Sequence, residues 1–156
     1  MANLKGCFSH KTDDWATPKN FYDYLIGDGY IDPCPLHSEE DNINKVYPYG
    51  SKLFINPPYS KINDWVKFIE NNRQSLRVLL IPARTDTKYF HQLLKYNPLI
   101  YFLKGRLKFG DSKDSAPFPS LLMVFMDFPP NIFPIYVGTT LENIIEKRLL
   151  PCGESI

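Results

Sequence analysis

Leu53-Phe54-Ile55-Asn56-Pro57-Pro58-Tyr59 decides how this chain is read. Three apolar residues make a short buried strand, and the two prolines end it abruptly. Beyond Tyr59, Ile62, Trp65, Val66 and Ile69 recur on one face of a helix. A strand that passes through a sharp polar turn into a helix is the repeating unit of open α/β sheets. Ligands of such sheets sit in the crevice outside the carboxyl ends of the strands, where Asn56 to Tyr59 fall.

The same alternation extends to both sides. Val78 to Ile81 is continuous and apolar, as a strand covered on both faces should be. Thr87 to Lys95 predicts a helix with Phe90, Leu93 and Leu94 inward. Leu99 to Leu103 and Ser120 to Phe128 read as strands, and Phe133 to Val137 as a possible edge strand. Upstream, Thr17 as N-cap and Pro18 at N1 predict a first helix that buries Phe21, Tyr24 and Leu25 and stops at Gly27 and Gly29. Tyr30-Ile31-Asp32 is too short to assign as a strand, and Pro33 and Pro35 end it.

Thr139 and Glu142 fit a capping box for a C-terminal helix over 139–150, stopped by Pro151. Residues 1–12 are polar and read as an arm. Helices alternating with strands, then strands in close succession, predict a three-layer α/β sandwich: a mainly parallel twisted sheet with an antiparallel edge. There is no internal repeat and no linker, so residues 1–156 are expected to form one domain.

Composition narrows the function classes. With 44% hydrophobic and 22% charged residues, the chain has ordinary globular composition. A net charge of +1 means that any nucleic-acid surface is a local patch. Three cysteines and three histidines are too scattered for a metal site or a redox dithiol. The odd cysteine count and the lack of a signal peptide favour a cytoplasmic location. No apolar run approaches the roughly 20 residues that span a bilayer.

Asn56-Pro57-Pro58-Tyr59 suits the methylation of a planar amine. The nitrogen lone pair of such an amine is delocalised into the ring, so it is a weak nucleophile. It must become tetrahedral and partly positive as it attacks. Two acceptors, one for each N–H, favour that charge. The Asn56 side-chain oxygen can be one and the Pro57 carbonyl the other, with the prolines fixing the turn. Tyr59 offers a flat face for an extruded base, worth roughly 1–3 kcal/mol against an unstacking cost of a few. The alternative is a proline-rich turn in which Tyr59 is simply core.

Six blocks widen the signal: Trp15-Ala16-Thr17-Pro18, Ile31-Asp32-Pro33, Phe54 to Ser60, Pro82 to Thr87, Lys104 to Phe109, and Ala116 to Ser120. In this order, from the arm to Phe128, the chain resembles the phage-type DNA N6-adenine methyltransferases. The resemblance implies a Rossmann-like class I methyltransferase fold and S-adenosylmethionine as donor. It implies that Asn56, Pro57, Pro58 and Tyr59 hold adenine. It also implies a cofactor site formed by Trp15, Thr17, Pro18, Asp32 and Pro33 together with Asn56, with Asp41 as a further acidic contact. One feature departs from the family: the stretch between Asp32 and Asn56 is shortened and carries Tyr47 where the family usually has a tryptophan. No glycine-rich loop follows Ile31, so the usual methyltransferase signature is absent, as it generally is in this compact family.

DNA is the expected partner. Lys104, Arg106 and Lys108 alternate, so an extended segment would present all three to phosphates, and Arg84 follows the strongest strand. The lysines could equally protect a sheet edge. The expected reaction is direct in-line transfer to N6 without metal or covalent intermediate, by a monomer or homodimer. If the chain is phage-encoded, it would act in host cytoplasm, and restriction protection is a fitting role. The same tetrapeptide could instead hold cytosine N4, an RNA base or a protein glutamine, or the fold could be a non-catalytic nucleic-acid-binding module.

Overall fold

In the computed structural model, which describes residues 15–38, 42–126 and 136–151, the chain forms five strands and four α-helices. The strands are β1 (Lys52–Ile55), β2 (Leu76–Pro82), β3 (Leu99–Leu103), β4 (Ser120–Phe125) and β5 (Tyr136–Thr139). The helices are α1 (Lys19–Gly27), α2 (Ile62–Asn71), α3 (Lys88–Leu94) and α4 (Leu141–Lys147). A 3₁₀ turn over Tyr59–Lys61 leads into α2.

The sheet order is β1-β2-β4-β3-β5. Strand β2 runs parallel to β1, with Ile55 opposite Leu79, and β5 runs parallel to β3, with Tyr101 opposite Val137. Strand β4 is antiparallel to both β2 and β3. Ile31 adds a parallel bridge to Leu53 on the outer side of β1. The sheet is therefore mainly parallel, as expected, but its reversed strand is in the middle and not at an edge. The reason is burial: every residue of β4 is buried, so both its faces and both its edges need partners, whereas Phe102 in β3 is exposed.

Side chains alternate across the sheet with the period of two that strands impose. Phe54, Val78, Leu80, Leu122 and Val124 face α1 and α4, where they meet Phe21, Leu25, Leu141 and Ile144. Leu53, Ile55, Leu79, Ile81, Leu121 and Met123 face α2 and α3, against Trp65, Phe68, Ile69, Phe90 and Leu93. Helices thus cover both faces and complete the three layers.

Two caps differ from the sequence reading. Pro18, with no side-chain cap bond, holds the N-cap of α1, so Thr17 lies one residue too early. At α4 the cap is Thr140, whose hydroxyl accepts the Asn143 N–H at 3.1 Å. Thr139 ends β5, where its carbonyl accepts the Lys104 N–H at 2.7 Å and its hydroxyl accepts from Asn143 Nδ2 at 2.8 Å. Helix α4 stops at Lys147 because Arg148 turns left-handed, with φ 48°. The expected arm, residues 127–128 of the fourth strand and residues 133–135 of the edge strand lie outside the described residues.

Strand direction places the site. Parallel β1 and β2 end at one edge, where β3 also leaves and reversed β4 enters. Residues 56–61, 83–87 and 104–119 are therefore gathered on that carboxyl edge. A bond from the Ala83 N–H to the Pro119 carbonyl, at 2.8 Å, ties two of them.

Candidate active site

Asn56 leaves the end of β1 with its amide held by the chain's N-terminal stretch. Its Nδ2 donates to the Trp15 carbonyl at 2.6 Å and to Thr17 Oγ1 at 3.1 Å. A flipped amide would set oxygen against the Trp15 carbonyl, which only accepts, so the orientation is fixed. The Asn56 Oδ1 atom is then buried with no hydrogen-bond partner among the described residues. A buried acceptor left unpaired costs about 1–3 kcal/mol, and native structures seldom keep one without a use. Pro57 is buried, and Pro58 is extended (φ −55°, ψ 120°) with its carbonyl accepting the Lys61 N–H at 2.8 Å.

Tyr59 is half-buried in an aromatic cluster. Its ring lies nearly parallel to Trp15, and Phe109 and Phe118 meet it edge-on at 6.4 and 5.6 Å between centroids. Its hydroxyl is buried without a partner among the described residues, and burial pushes its pKa far up. Residues 15–17 form a strap between this cluster and Asn56. The Gly110 N–H donates to the Ala16 carbonyl at 2.7 Å. Gly110 has φ 56°, a left-handed conformation that favours glycine, and a Cβ there would only touch that of Ala16, at 3.4 Å.

A cleft of about 930 Å³ opens beside Asn56. It brings together Trp15, Thr17, Asp32, Pro33, Asn56 and Pro58 of the expected site, while Pro18, Pro57 and Tyr59 stand outside its lining. Asp41 lies outside the described residues. The Asp32 Oδ1 atom accepts the Cys34 N–H at 2.9 Å. Burial raises the Asp32 carboxyl above its ordinary value, against the lowering effect of bonds from Cys34 and Tyr22. Burial first, and the nearby Asp32 second, raise both the Cys34 thiol and the Tyr22 phenol.

The family model of DNA N-6-adenine-methyltransferase (Dam) matches residues 7–140. The chain belongs to this family. Among curated proteins no relative matches it. Family membership supports adenine N6 methylation of DNA as the activity in general, and the Rossmann-like sandwich agrees with it.

Several cleft residues of this Dam-family chain escaped the sequence reading. Tyr22 and Cys34 reach the cleft only because α1 and the Ile31 bridge dock beside β1; no local motif marks them. Lys19, Lys61 and Lys67 also line it, and Lys61 immediately after Ser60 was the one positional clue. Arg84 is half-buried in the turn after β2, its carbonyl accepting from Thr87 Oγ1 at 2.7 Å. Lys104, Arg106 and Lys108 are exposed beyond the end of β3. Gly105, at φ 81°, turns the chain between Lys104 and the other two. Arg106 and Lys108 do alternate with inward Leu107 and Phe109. Among the described residues no group of His, Cys, Asp or Glu could hold a metal, and no helix is long and apolar enough to cross a membrane.

Proposed function

We propose that the chain transfers a methyl group from S-adenosylmethionine to N6 of adenine in DNA, with the base held out of the stack at Asn56 to Tyr59. The buried, unpartnered Asn56 Oδ1 at the carboxyl edge carries this reading. It is an acceptor held in one orientation, which is what an amine that must shed positive charge requires.

The cleft fits the donor. Its volume of about 930 Å³ is within the usual range for cofactor sites. Asp32 offers a carboxylate to an ammonium or to ribose hydroxyls, and Trp15 offers an indole face. When bound, S-adenosylmethionine supplies an electrophilic methyl group on a sulfonium.

The chain's own residues orient the acceptor. Asn56 Oδ1 accepts one N–H of the amine and the Pro57 carbonyl accepts the other, which draws the lone pair out of the ring. The part of the Tyr59 ring left open by its neighbours stacks on the base. Positioning of this kind can supply roughly 7–11 kcal/mol of a barrier. The amine loses its proton to water after attack. Tyr59 stays a phenol at neutral pH, because burial pushes its pKa far up, so it is no base. Arg84, Arg106, Lys108 and Lys104 hold phosphates along the same edge.

The deciding experiment incubates the chain with DNA and methyl-labelled cofactor, digests the DNA and separates the nucleosides. Label is expected in N6-methyldeoxyadenosine. Label confined to cytosine, RNA or protein would overturn the assignment.

A further inference from the structure

We infer that Thr17 is a positioning residue for the acceptor amide, aiming Asn56 Oδ1 at the substrate amine; this rests on the function proposed above. Thr-Pro ahead of a helix normally spends the threonine hydroxyl on the helix N-terminus. Here the cap position belongs to Pro18, which makes no side-chain cap bond. The Thr17 hydroxyl is used 39 residues away, accepting from Asn56 Nδ2 at 3.1 Å.

The second Nδ2 bond, to the Trp15 carbonyl at 2.6 Å, comes from the same strap. One bond alone leaves the amide able to swing about its terminal torsion, which is broad and roughly two-fold. Two acceptors from one stretch, itself tied to the Gly110 N–H through the Ala16 carbonyl, remove that freedom. Thr17 also borders the cleft, so a role as cofactor ligand is the competing assignment.

The two assignments separate in the full-length protein. Thr17→Val keeps the shape and removes the acceptor, and Thr17→Ser keeps the acceptor. Thr17→Val is expected to bind S-adenosylmethionine in calorimetry as the parent does. Its kcat should fall about tenfold, the loss of one hydrogen bond's worth of orientation, and Thr17→Ser should recover most of it. Thr17→Ala serves if valine prevents folding, as judged by thermal melting. Weakened cofactor binding with kcat retained would overturn the inference, as would a kcat that none of these substitutions changes. Exchange of the Asn56 side-chain amide protons, followed by NMR, should quicken in Thr17→Val whatever the acceptor is. No N6-methyladenine from the parent, together with this quickening in Thr17→Val, would sink the adenine reading and leave the Thr17 role in holding the amide standing.

Discussion

The rings of Trp15 and Tyr59 lie within 18° of parallel, with their centroids 6.3 Å apart. Phe109 and Phe118 also meet Trp15 edge-on, at 5.4 and 5.1 Å, so four aromatic rings form one block beside the Asn56 turn. The block joins the strap, the Asn56 turn and the 104–119 connection. Tyr59 is thus a structural member of the site as well as the proposed stacking surface, and its hydroxyl satisfies no partner among the described residues. Tyr59→Phe is expected to keep methyl transfer and to raise unfolding stability by up to about 1 kcal/mol, since it deletes an unpaired buried hydroxyl. Chemical denaturation and a transfer assay check both halves. A large loss of transfer in this variant would mean that the hydroxyl, and not the ring, contacts the base.

Asn56→Ala separates binding from chemistry. The side chain is half-buried beside the cleft, and the proposed work of its oxygen falls on the amine and not on the cofactor. The variant is expected to bind S-adenosylmethionine in calorimetry while transfer falls about 10²–10³-fold, as when one oriented transition-state partner is removed. Parent-like transfer would show that the acceptor model is wrong.

Asp32 sets a pH dependence with two opposite signs. Its folded-state carboxyl lies above the ordinary aspartate value, mainly because burial penalises the charge. Its contribution to stability is complete below the ordinary value and is lost as pH rises through the raised one. At neutral pH the ionised group therefore costs stability, and Asp32→Asn should melt at a higher temperature than the parent. Cofactor affinity runs the other way, because an ammonium or hydroxyl donor needs the carboxylate. Affinity should fall as the pH is lowered through the raised value, earlier than for an ordinary aspartate, and should be poor at every pH in Asp32→Asn. Calorimetry across the acid range tests this, and a flat profile would detach Asp32 from the cofactor.

What could be read from the sequence was what is local. Val78 to Ile81 and Leu99 to Leu103 announce themselves through continuous or alternating apolar residues, and the prolines after Ile55 mark the end of β1. The position of β4 was not legible, because strand order depends on which surfaces need covering and not on any window of residues. Thr17 was misplaced as a cap for a related reason: capping rules weigh neighbours, whereas its partner is Asn56. Tyr22 was passed over between Phe21 and Tyr24, since only the docking of α1 against the Asp32 turn brings it to the cleft. Lys104 was grouped with Arg106 and Lys108 by alternation, which Gly105 interrupts with its left-handed turn.

The shortened stretch before β1 makes its own prediction. Asn72, fully buried at the end of α2, accepts the Tyr47 N–H at 2.8 Å and donates to the Lys45 carbonyl at 3.0 Å and the Phe68 carbonyl at 3.1 Å. One side chain thus ties backbone groups of this stretch to the end of α2. Asn72→Ala removes the Asn72 partner of the buried Tyr47 N–H and of the Lys45 and Phe68 carbonyls and should cost about 1–3 kcal/mol of stability. Because this segment leads into the wall of the cleft at Asn42 to Asn44, cofactor affinity should weaken as well. Denaturation and calorimetry on one preparation would show both, and an unchanged melt would mean that Asn72 is dispensable to the segment.

Arg106 and Lys108 point outward from a stretch whose Leu107 and Phe109 pack inward, so their placement is held by the core while their charges stay in solvent. Charges of this kind contact phosphates without reading bases. Each phosphate contact that is lost should reduce the slope of log affinity against log salt by about 0.9 for duplex DNA. Arg106→Ala and Lys108→Ala are therefore expected to weaken DNA binding about equally on any sequence, to flatten the salt dependence by about that amount each, and to leave cofactor affinity alone. Lys104, set apart by Gly105, is expected to contribute less than either. Titration of labelled duplexes at several salt concentrations measures all three slopes. An unchanged slope in the Arg106 and Lys108 variants would move the DNA surface to the cleft-side lysines Lys19, Lys61 and Lys67.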